Sequence, residues 1–501
     1  MEDKTSVAQR EILLALGNAM KLATSLGVTL TVAFVVRFWM PRFLGPEAFG
    51  MLHFAEQFAA AFFVLGTLGA ETYIRKEVAT RPEHATEFFG SLVLIRLGLS
   101  VLIMLGMAAI LQTMGKEPLE WRLVYIFAAG QVLFVTNTSL ASMLQANGTV
   151  GVLATTSAAS KILWGGAIVG GLMLGYGLEV VAFTFLATEA IKVPVLYWSA
   201  HRSLNLRLRL NTGATFAILT ASLPYFINYV SHHLYQKVDV SMISGLTSDV
   251  EVGWYGAAVN VTFAIYLLLP VLDAVVLPMG SRIAKESTEA LHETMRGAVR
   301  IIMIVTMPMA ALLALNAEDV VSLLYTTAYR PTVMSLQIMS TLVPVTYICV
   351  MSSSHLIQLG RIWTVTKISL FGLAVNPALN ALLIPLFWKW LGDGGAGIAA
   401  ASTTVFTEIL VAILFFISLG RLGFDRQIGV LLLRLALACG AVAAVHPLLA
   451  PLGNFRGPVE IVLYGILGVT FGALPLRDMV TTFKTVLAER RAMKDRVNEP
   501  S

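Results

Sequence analysis

Fourteen apolar segments follow one another along the chain, at about 15-40, 50-74, 88-112, 122-145, 151-174, 178-198, 214-236, 252-277, 297-316, 332-354, 363-388, 395-418, 428-449 and 458-476. Most of them reach the roughly 20 residues that a helix needs to cross a bilayer. In hydrocarbon every backbone N–H and C=O has to be satisfied within the protein, so segments of this length fold as helices. Composition agrees: 57% of the 501 residues are hydrophobic and 13% charged, about half the charge of a soluble domain. The expected fold is therefore an all-α polytopic membrane protein with 14 transmembrane helices. An even count places both termini on one side.

Lysine and arginine decide which side. Alternate connections carry Arg75, Lys76 and Arg81, then Arg202, Arg207 and Arg209, then Arg282, Lys285 and Arg296, then Arg361, then Arg421 and Arg426. The positive-inside rule makes these cytoplasmic, together with Lys4, Arg10 and the basic tail 477-501. The opposite loops hold only Arg42, Lys116, Arg122, Lys237, Arg330, Lys389 and Arg456. No outward loop exceeds about twenty residues, which leaves little room for the outward domain expected of a membrane glycosyltransferase, polymerase or ligase. The first segment is longer than a signal-peptide core and lacks a small-residue cleavage site, so it reads as a retained helix.

Three stretches recur in order. Glu47 to Gln57 aligns with Val250 to Asn260, placing Gly50 opposite Gly253; Ser139 to Gly148 aligns with Ser352 to Gly360; Ala182 to Glu189 aligns with Ala401 to Glu408. An offset of six spans preserves orientation in the membrane, so the halves are expected to be parallel repeats. The expected architecture is two parallel six-helix repeats plus two extra C-terminal helices.

Particular motifs sharpen the reading. The Leu-Gly-Pro-Glu-Ala-Phe-Gly turn at 44-50, the Leu68 to Ala79 segment, Arg37, Gln236-Lys237-Val238-Asp239, the 253-258 and 324-329 stretches and Asn376 to Pro385 together resemble the oligosaccharide flippases. These are the Wzx-type polysaccharide exporters, of the superfamily that also holds peptidoglycan-precursor flippases and multidrug antiporters. The resemblance covers nearly the whole chain. It implies an N-lobe at 1-213, a C-lobe at 214-427 and spans at 428-476 that form a groove for a lipid tail. It further implies a flippase in the bacterial inner membrane that moves polyprenyl-pyrophosphate-linked oligosaccharide. Its expected partners are that substrate, membrane lipids and the polysaccharide polymerase and chain-length proteins; no nucleic acid and no cofactor are expected.

A charge in hydrocarbon costs at least about 2.5–3.5 kcal/mol on insertion scales, so charges inside spans mark interiors or watery cavities. The cations are Lys21, Arg37, Arg96, Lys161, Lys192, Arg300, Lys367 and Arg434; the acids are Glu56, Glu71, Glu189, Asp273, Glu408 and Glu460. Five of the eight cations fall in the first half, where they suit a diphosphate head group. Lys21, Arg37, Arg96, Lys161 and Lys192 are thus the candidate substrate-binding cations. The competing reading is that Lys21 and Arg37 snorkel to the interfaces and that Glu189 and Lys192 satisfy one another at i, i+3.

Span seven places Ser222, Tyr225, Tyr229, His232 and Gln236 on one helix face. Of these, Tyr225, Tyr229, His232 and Gln236 are the candidate sugar contacts, since flat rings with polar edges suit carbohydrate; a polar seam between helices is the alternative. Glu56 and Glu71 are candidates for carrying a coupling ion, unless they pair with Arg37 or Lys21. Asn376 and Asn380 flank Pro377 and are expected to satisfy backbone groups freed by a kink. The Gly392 to Gly397 stretch matches G-x-G-x-x-G but follows no strand, and adjacent His232 and His233 point about 100° apart on a helix, so neither a dinucleotide site nor a metal pair is expected. A cation-coupled multidrug antiporter is the alternative function, and a membrane glycosyltransferase or polymerase a remote one.

Overall fold

A computed structural model describes residues 24–474, except 72–73, 75–77, 79–80, 82–83, 267–282 and 284–286. Lys21, Asp273 and the tail 477-501 lie outside the described residues. Every regular element among those residues is helical. The long helices are α1 (Thr24–Leu44), α2 (Pro46–Phe63), α3 (His84–Met114), α4 (Pro118–Ala146), α5 (Val150–Met173), α6 (Glu179–Leu204), α7 (Thr212–Leu246), α8 (Asp249–Ile265), α9 (Thr288–Leu315), α10 (Thr332–Gln358), α11 (Ile362–Leu391), α12 (Gly395–Leu419), α13 (Arg426–Val445) and α14 (Arg456–Thr470). Eleven helices among the described residues are long and apolar enough to cross a membrane. The three segments of the fourteen not among them are α7, α8 and α14; α8 has 17 described residues and α14 has 15, short of the roughly 20 of a full span.

Local chemistry sets the helix ends. Pro46 and Pro118 occupy the first turn, where a missing N–H costs nothing. Glu117 and Glu120 form a reciprocal capping box at the start of α4. Ser287 caps α9 through the Ala290 N–H, and Asp425 caps α13 through the Ile428 N–H. The Gly392 to Gly397 stretch is the turn between α11 and α12. Its Gly394 N–H, at φ 82°, donates to the Glu251 carboxylate of α8 at 2.7 Å. The glycines thus serve a protein carboxylate at a helix N-terminus, where the backbone dipoles favour negative charge.

Two compact units are present. The first comprises residues 1–265, 321–339 and 360–411. Its centre is α2, where ten of eighteen residues are buried, Phe49, Phe54 and Phe58 among them; a helix apolar on nearly all sides belongs in a core. It packs on α4, α7 and α8. At the crossing of α2 and α8 a Cβ on Gly50 would overlap the Asp249 carbonyl, and one on Gly253 would overlap the Pro46 carbonyl. Each glycine therefore faces the residue four before the other. Lys116 reinforces this region by ion pairs to Glu120 at 2.7 Å and Asp249 at 3.2 Å, over the Phe54 ring. The second unit comprises residues 266–320, 340–359 and 412–501. Within it α9 packs on α13, and α13 on α14. Glu460, fully buried, accepts from His446 and Asn316 at 2.6 Å each.

Candidate functional site

Four charges of the first unit share one field. Arg37 on α1 donates to Asn260 at 3.4 Å, with its guanidinium 5.4 Å from the centre of the Phe263 ring. Lys237 on α7 donates to Gln57 at 2.6 Å. Arg37 and Glu56 both act electrostatically on Lys237 and on Lys161. No carboxylate among the described residues forms an ion pair with Arg37, Lys161 or Lys237. They are held by amides and rings, so their charge stays available to an incoming anion. Lys237 belongs to this group although loop counting places it in an outward connection: α7 runs to Leu246, ten residues past the expected end of span seven.

Lys161 on α5 lies 3.3 Å from the centre of the Trp164 ring, one turn along. A cation on an indole face is held by about 0.5–2 kcal/mol without being neutralised. Both residues line a pocket of about 240 Å³ with Phe134, Phe185, Glu189 and Lys192. Lys192 pairs with Glu189 at 2.6 Å, and the other Glu189 oxygen accepts from Asn137 at 2.9 Å. The i, i+3 pairing expected as the competing reading is therefore present, with both partners still on the pocket wall.

Arg96 has a different setting. The break after α2, where Leu65–Thr67 tightens into a 3-10 turn followed by Leu68 at φ 55°, frees the Thr67 carbonyl. Arg96, 3% exposed, donates to that carbonyl at 2.8 Å, to Ser139 at 2.6 Å and to Glu71 at 3.0 Å. Glu71 thus pairs with Arg96 rather than with Arg37. The two form a neutral, hydrogen-bonded knot that ties the broken end of α2 to α3 and α4. Of the sugar-contact face, Tyr229 is half-exposed and packs against His233 with ring centres 4.1 Å apart. The side chains of Tyr225, His232 and Gln236 lie outside the described residues, as does Lys21.

Asp239 was not singled out from sequence. It is 1% exposed. Its carboxylate accepts from Thr404 at 2.6 Å, Asn380 at 2.7 Å and Tyr255 at 3.0 Å. Asn376 completes the cluster through Asn380 at 3.1 Å and Thr404 at 3.4 Å. The two asparagines serve Asp239 and Thr404 instead of the backbone freed by Pro377. No cation among the described residues pairs with Asp239, and Asn380 Oδ1 is buried without a partner. A buried carboxylate with only neutral donors either takes up a proton or holds a small cation. The one sequence signal is that Asp239 and the asparagine pair both belong to the motifs that carry the flippase resemblance.

A helical membrane protein with available cations in one field and an unpaired buried carboxylate in the same unit has the make-up of a transporter. A family model described as polysaccharide biosynthesis protein matches residues 15–284, and one described as MatE matches residues 224–382. The chain belongs to the polysaccharide biosynthesis protein family. A comparison with curated proteins found no match. Among solved structures, the lipid II flippase MurJ in an inward closed conformation is similar over 93% of this chain and 100% of its own, with TM-score 0.73 and 15% identity. An inward-facing multidrug resistance MATE transporter of the MOP superfamily covers 79% of this chain and 95% of its own, at TM-score 0.63 and 17% identity. A Vibrio cholerae MATE transporter, VcmN, covers 82% and 100%, at TM-score 0.57 and 14% identity. The fold is that of the transporters and flippases of this superfamily.

Proposed function

We propose that the protein is a flippase that carries polyprenyl-pyrophosphate-linked oligosaccharide, an O-antigen or exopolysaccharide repeat unit, to the outer leaflet of the bacterial inner membrane. The observation that carries this reading is the set of Arg37, Lys161 and Lys237, three cations that no carboxylate among the described residues pairs with. Such a set favours an anionic substrate over a cationic drug, and Arg37 with Lys237 suits its diphosphate, because charge-assisted contacts replace the hydration water that the diphosphate gives up. In this reading fourteen spans alternate access by rocking of two lobes, both termini are cytoplasmic, and α13 and α14 guide the lipid tail. Arg96 and Glu71 hold the scaffold, and Asp239 takes the coupling role first sought at Glu56 and Glu71. The chain acts as a transporter rather than an enzyme.

The test uses purified protein in vesicles with a fluorescent polyprenyl-pyrophosphate oligosaccharide. Protein-dependent loss of inner-leaflet label, abolished by Arg37→Gln with Lys237→Gln, supports the reading; label that stays put overturns it. The multidrug antiporter reading draws on the MatE match and on Asp239 as an ion carrier. Ion-driven movement of ethidium by the same vesicles, with no movement of the labelled lipid, would establish it instead.

A further inference from the structure

We infer that the pocket around Lys161 and Trp164 is the subsite for a carboxylate-bearing sugar ring, a uronic acid, of the carried oligosaccharide. The inference rests on the flippase reading. The pocket, about 240 Å³, falls below the roughly 300–1,000 Å³ of sites for drug-sized ligands. That space holds one ring, and the open side leaves room for the rest of the chain.

Its walls distinguish a sugar from a diphosphate. Three aromatic side chains, Phe134, Trp164 and Phe185, face it together with serine and threonine hydroxyls. Diphosphates are gripped by arginine forks and backbone N–H groups, and this pocket offers no arginine. A sugar ring has an apolar face for an indole and an edge of hydroxyls for polar side chains. The Arg37 and Lys237 groups remain for the diphosphate.

Its charges distinguish an acidic sugar from a neutral one. Both oxygens of Glu189 are engaged, one by Lys192 and one by Asn137, so that pair contributes no net charge. Lys161 is left over. It rests on the Trp164 face at 3.3 Å, a position from which a carboxylate can draw it. The exchange is balanced: the ammonium leaves the indole for the sugar's carboxylate, and the uncovered indole face receives the sugar's C–H face. A neutral ring would bring no partner for the lysine and would have to compete with it for the same indole.

The exchange moves a charge off one indole, so it is readable by fluorescence. Purified full-length protein in detergent is titrated with D-glucuronate, glucose and glucuronamide, the uncharged isostere. The expected result is a saturable emission change with glucuronate, at least about tenfold weaker with the other two, the loss that follows removal of one charged partner. Trp164→Phe should abolish the emission change while saturation-transfer NMR still reports binding. Lys161→Gln should weaken binding at least about tenfold, and Lys161→Arg should largely keep it. Equal binding of glucuronate and glucuronamide, or no saturable binding of any sugar, overturns the inference. A polyprenyl pyrophosphate that binds wild type and loses as much affinity in Lys161→Gln as in Arg37→Gln also overturns it, since the pocket is then part of the head-group site while the flippase reading stands. Failure of the polyprenyl pyrophosphate itself to bind removes the flippase reading as well.

Discussion

Gly50 and Gly253 face each other reciprocally: each lies on the carbonyl of the residue four before its counterpart, Gly50 on Asp249 and Gly253 on Pro46. Alanine at either position forces the two helices apart. Overpacking of this kind costs about 1–3 kcal/mol. Gly50→Ala and Gly253→Ala should each lower the thermal midpoint of the purified protein, and the double variant should lose less than the two combined, because both changes open one crossing. Simple additivity of the midpoints would mean the glycines act separately.

Arg96→Gln and Glu71→Gln each leave a buried group without its partner, a loss of about 3–5 kcal/mol for a buried pair. Both variants should express poorly or unfold early, whereas Lys161→Gln should keep wild-type stability. Circular dichroism melts separate the cases. An Arg96→Gln protein that is stable but inactive would return Arg96 to the substrate path.

Asp239→Asn keeps the shape and removes the charge: its amide oxygen still accepts from Asn380, and its NH2 donates to the Thr404 and Tyr255 hydroxyls once these turn to accept. The expected protein is folded, yet its transport no longer responds to a sodium or proton gradient; Glu56→Gln should still respond. Flux measured with and without each gradient decides, and a gradient-sensitive Asp239→Asn variant would exclude the carboxylate as the coupling group.

Asp425 gives a pH dependence. Burial by itself would raise its carboxyl, but the Ile428 N–H and the guanidinium groups of Arg300, at 2.5 Å, and Arg296 outweigh burial and hold it below the ordinary carboxylate range. A depressed folded value means the contribution is complete above the unfolded value, near 4, and fades as pH falls through the folded one. Asp425→Asn retains the cap and should lose about 1 kcal/mol at neutral pH. Melting curves of the two proteins should converge in acid; a constant gap would show that the ion pair is not the source.

Gly440 and Ala444 on α13 are exposed, and a Cβ added at Gly440 meets nothing within 4 Å. Tryptophan at either position should therefore leave the melting midpoint unchanged while it obstructs the lipid-tail route and lowers export. Export that drops only in step with stability would reduce α13 to a packing element.

Much of the helix order was legible because a bilayer-length apolar run can do little else. The expected starts at 332, 363 and 395 fall within a residue of α10, α11 and α12. Lys237 reads as a loop cation because hydropathy ends a span at the first charge, while α7 continues past it with Gln57 as partner. Asp239 was passed over for a related reason. A lone carboxylate near a span end reads as a boundary, and nothing in periodicity says that Tyr255, Asn380 and Thr404 converge on it. The pairing of Arg96 with Glu71 was equally hidden, since it depends on a helix break whose freed carbonyl only the packed structure brings to Arg96.

The carboxylate of Glu251 on the amide of Gly394 joins positions 143 residues apart. Glu251 is synthesised first, so its carboxylate precedes the turn it serves. When the Gly392 to Gly397 turn emerges, its bare amides find a docking point already in place, and α12 is seated by a residue from the opening turn of α8. The order of synthesis therefore matches the order of need: the carboxylate is made before the amide that it satisfies.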